Sequence, residues 1–207
     1  MSPVQIVIGV ACIAFALLIH EFAHAWMAYK LGDPTAKYEG RLTLNPVVHF
    51  EPFGFICLVA TYISSGGTLI MGWAKPVPID CDNFKNRALD TALVAAAGPF
   101  INLIVAFGLG LTTITGMVTN TPLYWIIRPL IVANVGFALF NLIPWPPLDG
   151  WKIATSVAGD AGSRKMLEFE NKLGIYSLLV LLVIVYFLGK YFLYPANRAV
   201  LSVLLGG

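Results

Sequence analysis

The sequence predicts an all-α integral membrane protein with about four full transmembrane helices and one re-entrant or partial segment. Of its 207 residues, 58% are apolar and only 12% are charged, whereas a soluble domain carries about twice that charged fraction. The apolar residues also form runs that are too long for one soluble core and long enough to cross a bilayer. At this length we expect a single domain over residues 1–207.

The full crossings are predicted over residues 4–30, 86–117, 123–142 and 173–192. The first ends at Gly32-Asp33-Pro34, and the second contains Gly98-Pro99, where a kink is expected. Residues 35–52 are short and mixed in character, which suggests a small β-hairpin near the active site. A final stretch, residues 196–207, is expected to form a short interfacial helix or a partial return.

Residues 53–74 are apolar but interrupted by glycines and serines, which favours a segment that dips into the membrane and returns on the same side. With that topology, ten of the thirteen Lys and Arg residues fall on the inner side, as the positive-inside rule requires. A full crossing by 53–74 would instead place Asp149 on the opposite side of the membrane from His20. We therefore expect a multi-pass cell-membrane protein in which His20 and Asp149 lie toward the cytosolic side.

The remaining bulk properties exclude other classes. A net charge of +2 gives no support for a nucleic-acid partner. The three cysteines, Cys12, Cys57 and Cys81, are scattered, so neither a disulfide framework nor a thiolate metal site is expected.

The main chemical motif is the run His20-Glu21-Phe22-Ala23-His24, an HExxH inside an apolar helix. Positions i and i+4 share one helix face, so both imidazoles can reach one zinc ion. Glu21 is then placed to take a proton from a water molecule at that ion. The alternative is a structural His–Glu pair, but such groups are costly inside a membrane helix unless they bind something.

A zinc ion held by two histidines needs a third protein ligand. His49 and several carboxylates are available, and Asp149 is the best candidate because it follows the proline-rich, non-helical Pro144-Trp145-Pro146-Pro147. Its alternative role is the N-cap of the segment that begins at Gly150. His49 is expected to support the site or to lie in a surface loop rather than to ligate metal.

The chain resembles the site-2 protease family of intramembrane zinc metalloproteases over nearly its whole length. The signatures in chain order are His20-Glu21-Phe22-Ala23-His24, Ala97-Gly98-Pro99 with Asn102-Leu103, and Asn141-Leu142-Ile143-Pro144 leading to Pro147-Leu148-Asp149-Gly150. With Gly40 to Pro46 and Gly72 to Pro78, the chain is most similar to the compact bacterial and archaeal branch without a PDZ domain.

The resemblance implies one zinc per chain, bound by His20, His24 and Asp149, with Glu21 as general base. It also implies that Asn141 positions the substrate or stabilises the oxyanion, and that the substrate is itself a transmembrane helix. We expect this helix to unwind or to pair as a strand with residues 36–52 or 53–74. Gly98, Pro99 and Asn102 are expected to serve helix packing, and Asn134 to hydrogen-bond between helices.

Two other classes remain as rivals of intramembrane proteolysis. A membrane metal carrier would use the same His and Asp residues, but it should offer ligands along a path and needs no Glu21. A catalytically dead binding protein of the same fold would not need Glu21 either.

Overall fold

The computed structural model describes residues 2–66, 72–174, 176–188 and 194–205. Within these ranges the chain is helical, and a short 3-10 helix, Cys81–Asn83, precedes α5. The α-helices are α1 (Pro3–Leu31), α2 (Thr35–Tyr38), α3 (Pro46–His49), α4 (Pro52–Ser64), α5 (Arg87–Ile114), α6 (Tyr124–Asn141), α7 (Asp149–Val157), α8 (Gly159–Leu173), α9 (Tyr176–Leu188) and α10 (Tyr194–Leu205). The prediction of an all-α fold is confirmed for the described part of the chain.

Three of these helices, α1, α5 and α6, are long and apolar enough to cross a membrane. They coincide with the first three predicted crossings, and α5 continues through Pro99. The fourth predicted crossing, 173–192, falls on α9, of which the structure describes 13 residues. Residues 175 and 189–192 of that prediction lie outside the described residues. The protein is therefore a membrane protein with three candidate spans in its described part.

Helix α1 is delimited by strong signals at both ends. Ser2 accepts a hydrogen bond from the Gln5 backbone while the Gln5 side chain accepts one from Ser2, and Pro3 occupies the first helical position. At the other end Gly32 adopts a φ of 112° and its N–H bonds back to the last turn. These caps hold α1 as one 29-residue helix, about 43 Å long, that carries both histidines.

The bundle is built around α5, which packs against α1, α6 and α7, and α1 also packs against α6. Helix α10 packs on α5 and α6, where Ala106, Ile131, Val135 and Leu204 form a buried apolar cluster. A Cβ at Gly110 would lie 2.6 Å from the Leu204 side chain, so a glycine is needed for this close approach. The bundle thus fixes α1, α5 and the start of α7 relative to one another.

The predicted β-hairpin is wrong, because residues 35–52 form the short helices α2 and α3 joined by a loop. Asn45 accepts a hydrogen bond from Val47 N–H and Pro46 occupies the first helical position, so these two residues start α3 in place of the expected second strand. The Arg41 guanidinium donates to the Val48 carbonyl and fixes the loop. Residues 35–52 therefore contain two short helices and a loop in place of a strand pair.

Asp33 ties the end of α1 to the loop before α5. Its carboxylate accepts hydrogen bonds from Thr35 N–H (3.0 Å), Asp80 N–H (2.9 Å) and the Asn83 amide (2.9 Å). The side chain is fully buried. Desolvation acts to raise the pKa of Asp33, but these hydrogen bonds outweigh it and hold the pKa below its ordinary value.

Helix α4 has 13 residues and is therefore about 20 Å long, which is short of the roughly 30 Å of a bilayer core. Gly72 and Trp73 lie directly against its first two turns, since a Cβ at Gly54 would collide with the Trp73 carbonyl and one at Gly72 would lie 2.5 Å from Leu58 Cβ. Lys75 N–H also donates to the His49 carbonyl at 2.9 Å. Both ends of the 53–74 segment therefore lie side by side.

Candidate metal centre

Two helices bring three potential metal ligands to one point. His20 and His24 lie one turn apart on the inner face of α1 and are 3% and 6% exposed, and Asp149 is 4% exposed. Asp149 Oδ2 lies 3.0 Å from His20 Nε2 and 3.1 Å from His24 Nε2, and the two Nε2 atoms are 3.0 Å apart. This is a group of residues that could hold a metal ion.

The start of α7 is what places Asp149 there. Pro144, Pro146 and Pro147 keep residues 142–148, which precede α7, out of regular helix. A Cβ at Gly150 would collide with the Leu142 carbonyl. Glycine therefore lets α7 begin against the end of α6. Asp149 is the first residue of α7 rather than part of the non-helical stretch, and Leu148 is its N-cap, so the alternative N-cap role of Asp149 is wrong.

The hydrogen bonds of His24 fix which of its nitrogens is free. Its Nδ1 lies 2.7 Å from the Val94 carbonyl oxygen, which can only accept a hydrogen bond. Nδ1 therefore carries the proton of the neutral imidazole. The lone pair on Nε2 is left pointing toward Asp149.

A chain of two amides fixes His20 in the same way. Asn134 Nδ2 donates to the Leu130 carbonyl, so its Oδ1 accepts from Asn102 Nδ2 at 2.8 Å. Asn102 Nδ2 also donates to the Ala16 carbonyl at 3.0 Å. Asn102 Oδ1 is thus the acceptor that faces His20 Nδ1 at 2.8 Å. His20 Nδ1 carries the proton, and its Nε2 lone pair is free.

Three acceptor atoms thus face one another at about 3 Å with no hydrogen between them in the neutral tautomers. Such an arrangement is unfavourable inside a protein unless a positive charge, either an added proton or a metal ion, lies among the atoms. Ligands held at about 2.0–2.1 Å from zinc are roughly 3.3–3.4 Å apart in a tetrahedral site. The observed separations of 3.0–3.1 Å are close to these values, though shorter. The two-nitrogen, one-oxygen donor set is one that Zn²⁺ accepts with a fourth position left open.

Asp149 is held as an anion and in one orientation. Lys152 Nζ lies 3.3 Å from Asp149 Oδ1, which leaves Oδ2 for the imidazoles. The first turn of α7 also favours a negative charge.

Glu21 lies beside the three ligands without joining them. Its Oε2 accepts a hydrogen bond from Val77 N–H at 3.3 Å, so the non-helical residues 72–80 pass next to it. One residue after His20, its side chain is turned about 100° away from the ligand face. This leaves a partly exposed carboxylate next to the site, as the HExxH spacing predicts.

Gly98 of α5 leaves room for both imidazoles. A Cβ at this position would lie 2.5 Å from His24 Nε2 and 2.6 Å from His20 Cε1. The expected packing role of Gly98 is therefore also a role in the site, because any side chain would displace the candidate ligands.

Asn141 is placed less directly. It lies at the end of α6, and Phe137, one turn before it, makes an edge-to-face contact with the His20 ring at 5.0 Å. Asn141 Nδ2 donates to the Phe137 carbonyl at 3.0 Å, which uses one of its two amide hydrogens. His49 is buried in α3, bonds to Thr43 through Nε2 and lies outside the ligand group.

Comparison with curated proteins identifies relatives of this chain. The protein named "Putative zinc metalloprotease YwhC", from Bacillus subtilis (strain 168), is 38% identical over 192 residues, which cover 87% of this chain and 81% of that protein. The chain belongs to the site-2 protease family. It is accordingly a zinc metalloprotease by family.

Two less similar relatives are each named "Putative zinc metalloprotease Rip2". The Mycolicibacterium smegmatis protein is 32% identical over 137 residues and the Mycobacterium tuberculosis protein is 33% identical over 144 residues. The chain spans about half the length of these two proteins, 51% in each case. No family model matches the chain, and no solved structure matches it.

Sequence reasoning misses the supporting residues of the site. It assigns Asn102 to helix packing, whereas the Asn102 side chain orients His20. The predicted hydrogen bond of Asn134 between helices is confirmed, and its partner is Asn102. One signal is present in the sequence: two amides inside apolar helices each need a buried partner. The pattern alone does not reveal that His20 is that partner.

Proposed function

We propose that this protein is an intramembrane zinc metalloendopeptidase of the site-2 type, which hydrolyses a peptide bond within or next to a transmembrane segment of its substrate. The observation that carries the proposal is the convergence of His20 Nε2, His24 Nε2 and Asp149 Oδ2 with Glu21 beside them. The role implied is regulated intramembrane proteolysis, and the partners are a transmembrane-helix substrate and the lipid bilayer.

The depth of the site supports a membrane-embedded substrate. His20 and His24 precede the end of α1 at Leu31 by 11 and 7 residues, which correspond to about 16 and 10 Å along the helix. The surrounding helices α1, α5 and α6 are the three candidate spans. A peptide bond that reaches this depth belongs most naturally to a segment that is itself in the bilayer.

The roles of the side chains follow from their positions. In this proposal His20, His24 and Asp149 hold one Zn²⁺, which would polarise the scissile carbonyl and lower the pKa of a water molecule toward neutrality. Glu21 accepts the proton of the attacking water and delivers it to the leaving amine as the C–N bond breaks. The second amide hydrogen of Asn141 is available to the oxyanion or to a substrate carbonyl.

The charge distribution supports an active site toward the cytosolic side of the cell membrane. Asp33 joins the end of α1 to the loop before α5. The basic residues near the end of α1 and those near the start of α5 therefore lie at the same end of the bundle, the end nearest His24. They are Lys30, Lys37, Arg41, Lys85 and Arg87. The positive-inside rule then assigns this end to the cytosol.

The rival role of metal carrier has less support. In the described part of the chain, His20, His24 and Asp149 are the group of His, Cys, Asp and Glu residues that could hold a metal. A carrier would need further metal ligands along its path, and metal transport does not require the Glu21 carboxylate.

Metal analysis of ligand variants tests the proposal. Purified protein is expected to hold about one zinc per chain, and His20→Ala, His24→Ala and Asp149→Ala are each expected to lose it. His49→Ala is the matched control, because His49 is also a buried histidine but bonds to Thr43 instead. Full zinc occupancy in Asp149→Ala would remove Asp149 from the metal and point to His49.

A further inference from the structure

The Glu21 carboxylate is held by one backbone donor. Within the part of the chain that the structure describes, its single hydrogen bond comes from Val77 N–H, which lies 3.3 Å from Oε2. A carboxylate offers about four lone-pair sites on its two oxygens. This bond therefore fixes Oε2 and leaves Oε1 free for another partner.

Val77 is itself fixed against the helix that carries Glu21. Its side chain is buried in an apolar cluster with Ala25 and Ala36, both of which are fully buried. Ala25 follows Glu21 by four residues, so the two lie one turn apart on the same face of α1. The donor is thus packed on the helix face from which the acceptor projects.

Residues 75–80 are tied to other elements at both ends. Lys75 N–H donates to the His49 carbonyl at 2.9 Å. Asp80 N–H donates to the buried Asp33 carboxylate, also at 2.9 Å. Because both ends are held, the position of the middle of this segment beside α1 is restricted.

The backbone in the middle of the segment has little freedom of its own. Val77 lies between Pro76 and Pro78, whose rings fix φ and leave no N–H to donate. A residue that precedes proline is also held near the extended region. Val77 N–H is thus the donor that residues 76–78 offer, and it is given to Glu21.

Such a fixed donor suits a general base. In an HExxH helix the Glu side chain is turned about 100° away from the ligand face, so its carboxylate needs an outside contact to stay in one place. A base must come within about 2.6–3.2 Å of the atom whose proton it takes. A backbone N–H that holds one oxygen and leaves the other free meets both needs, because it does not titrate and does not rotate.

We propose that Val77 is a positioning residue of the protease, and that its N–H orients the Glu21 carboxylate so that Oε1 receives the proton of the attacking water. Residues 75–80 form the support that keeps this N–H in place. The proposal rests on the proposed protease function and names the group that positions its base. The alternative is that Val77 N–H merely pairs with a partly exposed carboxylate, without effect on the reaction.

Removal of the donor tests the proposal. Val77→Pro deletes the N–H, and the extended backbone before Pro78 suits proline. We expect kcat for a model transmembrane substrate to fall about 10–100-fold while KM stays within about two-fold, because the bond acts on the base and not on substrate binding. Zinc content and thermal unfolding in detergent should match those of wild type.

Val77→Ala is the matched control, because it shortens the buried side chain but keeps the N–H. Its kcat should fall by about five-fold at most, as the donor is still present. A kcat for Val77→Pro within about two-fold of wild type, or a loss no larger than that of Val77→Ala, would overturn the proposal.

A double-mutant cycle separates a role through Glu21 from a general effect on the fold. Glu21→Asp keeps a carboxylate but is shorter by one methylene, which withdraws it from Val77 N–H. In that background Val77→Pro should cost less than about two-fold further in kcat, whereas two independent effects would multiply. The same loss in both backgrounds would contradict the proposal.

A second variant covers the case in which Val77→Pro loses zinc or unfolds at a lower temperature. The combined change Pro76→Ala and Pro78→Ala keeps Val77 N–H but loosens the backbone around it. Its kcat should fall about three- to ten-fold with KM and zinc retained, and an unchanged kcat would overturn the proposal. Cleavage by wild type that Glu21→Gln abolishes establishes the protease function whatever the Val77 variants do. A wild type that cleaves no substrate overturns both.

Discussion

Replacing Gly98 by alanine should disable the metal centre while leaving the helix intact. The added Cβ would lie 2.5 Å from His24 Nε2 and 2.6 Å from His20 Cε1, whereas ordinary contacts between such atoms are about 3.5 Å. At least one imidazole must therefore move by roughly 0.9 Å, although zinc sites tolerate only about 0.2 Å in ligand distance. We expect zinc affinity and cleavage each to fall by about 100-fold.

The helix itself should not suffer, because alanine is favoured over glycine in a helix interior by about 1 kcal/mol. Gly108→Ala in the same helix is the matched control, since a Cβ there meets no atom within 4 Å. Zinc content, zinc competition with a chelator and thermal unfolding in detergent are measured for both variants. Full zinc occupancy and wild-type cleavage in Gly98→Ala would refute the close packing of the two imidazoles against Gly98.

Other contacts lead to three further expectations. Asn102→Leu removes the acceptor for His20 Nδ1 and should weaken zinc binding about 10–100-fold, whereas Asn102→Asp should retain it; equal chelator resistance of the Leu variant would contradict the amide chain. In a variant without native cysteines, single cysteines at Glu51 and Lys85 should both be labelled from the cytosolic side, and external labelling of position 85 would exclude the re-entrant topology. Since the pKa of Asp33 is lowered in the fold, its stabilisation is present above the unfolded value, near 4, and is lost as pH falls through the folded value. The stability gap between wild type and Asp33→Asn should therefore shrink below about pH 4, and a constant gap in chemical unfolding would refute this.

The candidate ligands could be predicted because the first two follow from a short-range rule and the third from its proline-rich surroundings. The four-residue spacing puts His20 and His24 on one helix face regardless of the rest of the fold. Asp149 could be predicted because the three prolines before it exclude helix and because a membrane interior makes an isolated carboxylate costly. Whether these residues ligate zinc stays a prediction until metal is measured.

The features that sequence reasoning misses depend on packing between distant segments. The amide chain from Asn134 through Asn102 to His20 exists only because α1, α5 and α6 meet at that depth. The hairpin prediction is wrong because Arg41 to Leu44 alternates like a strand, whereas Asn45 and Pro46 begin a helix and no partner strand follows in residues 46–52. The contact of Gly72 and Trp73 with α4 likewise joins segments that the sequence does not pair.

Cleavage of a membrane-embedded substrate by Glu21→Gln, compared with wild type at equal zinc content, tests the central claim most directly. Glutamine keeps an oxygen for the Val77 N–H that now bonds to Glu21, so fold and zinc content should be preserved. It cannot accept a proton at neutral pH, and the rate should therefore fall by at least about 10²–10⁴-fold. Similar cleavage rates for the two proteins would contradict the mechanism, and metal movement across vesicles by both without any cleavage would establish a carrier instead.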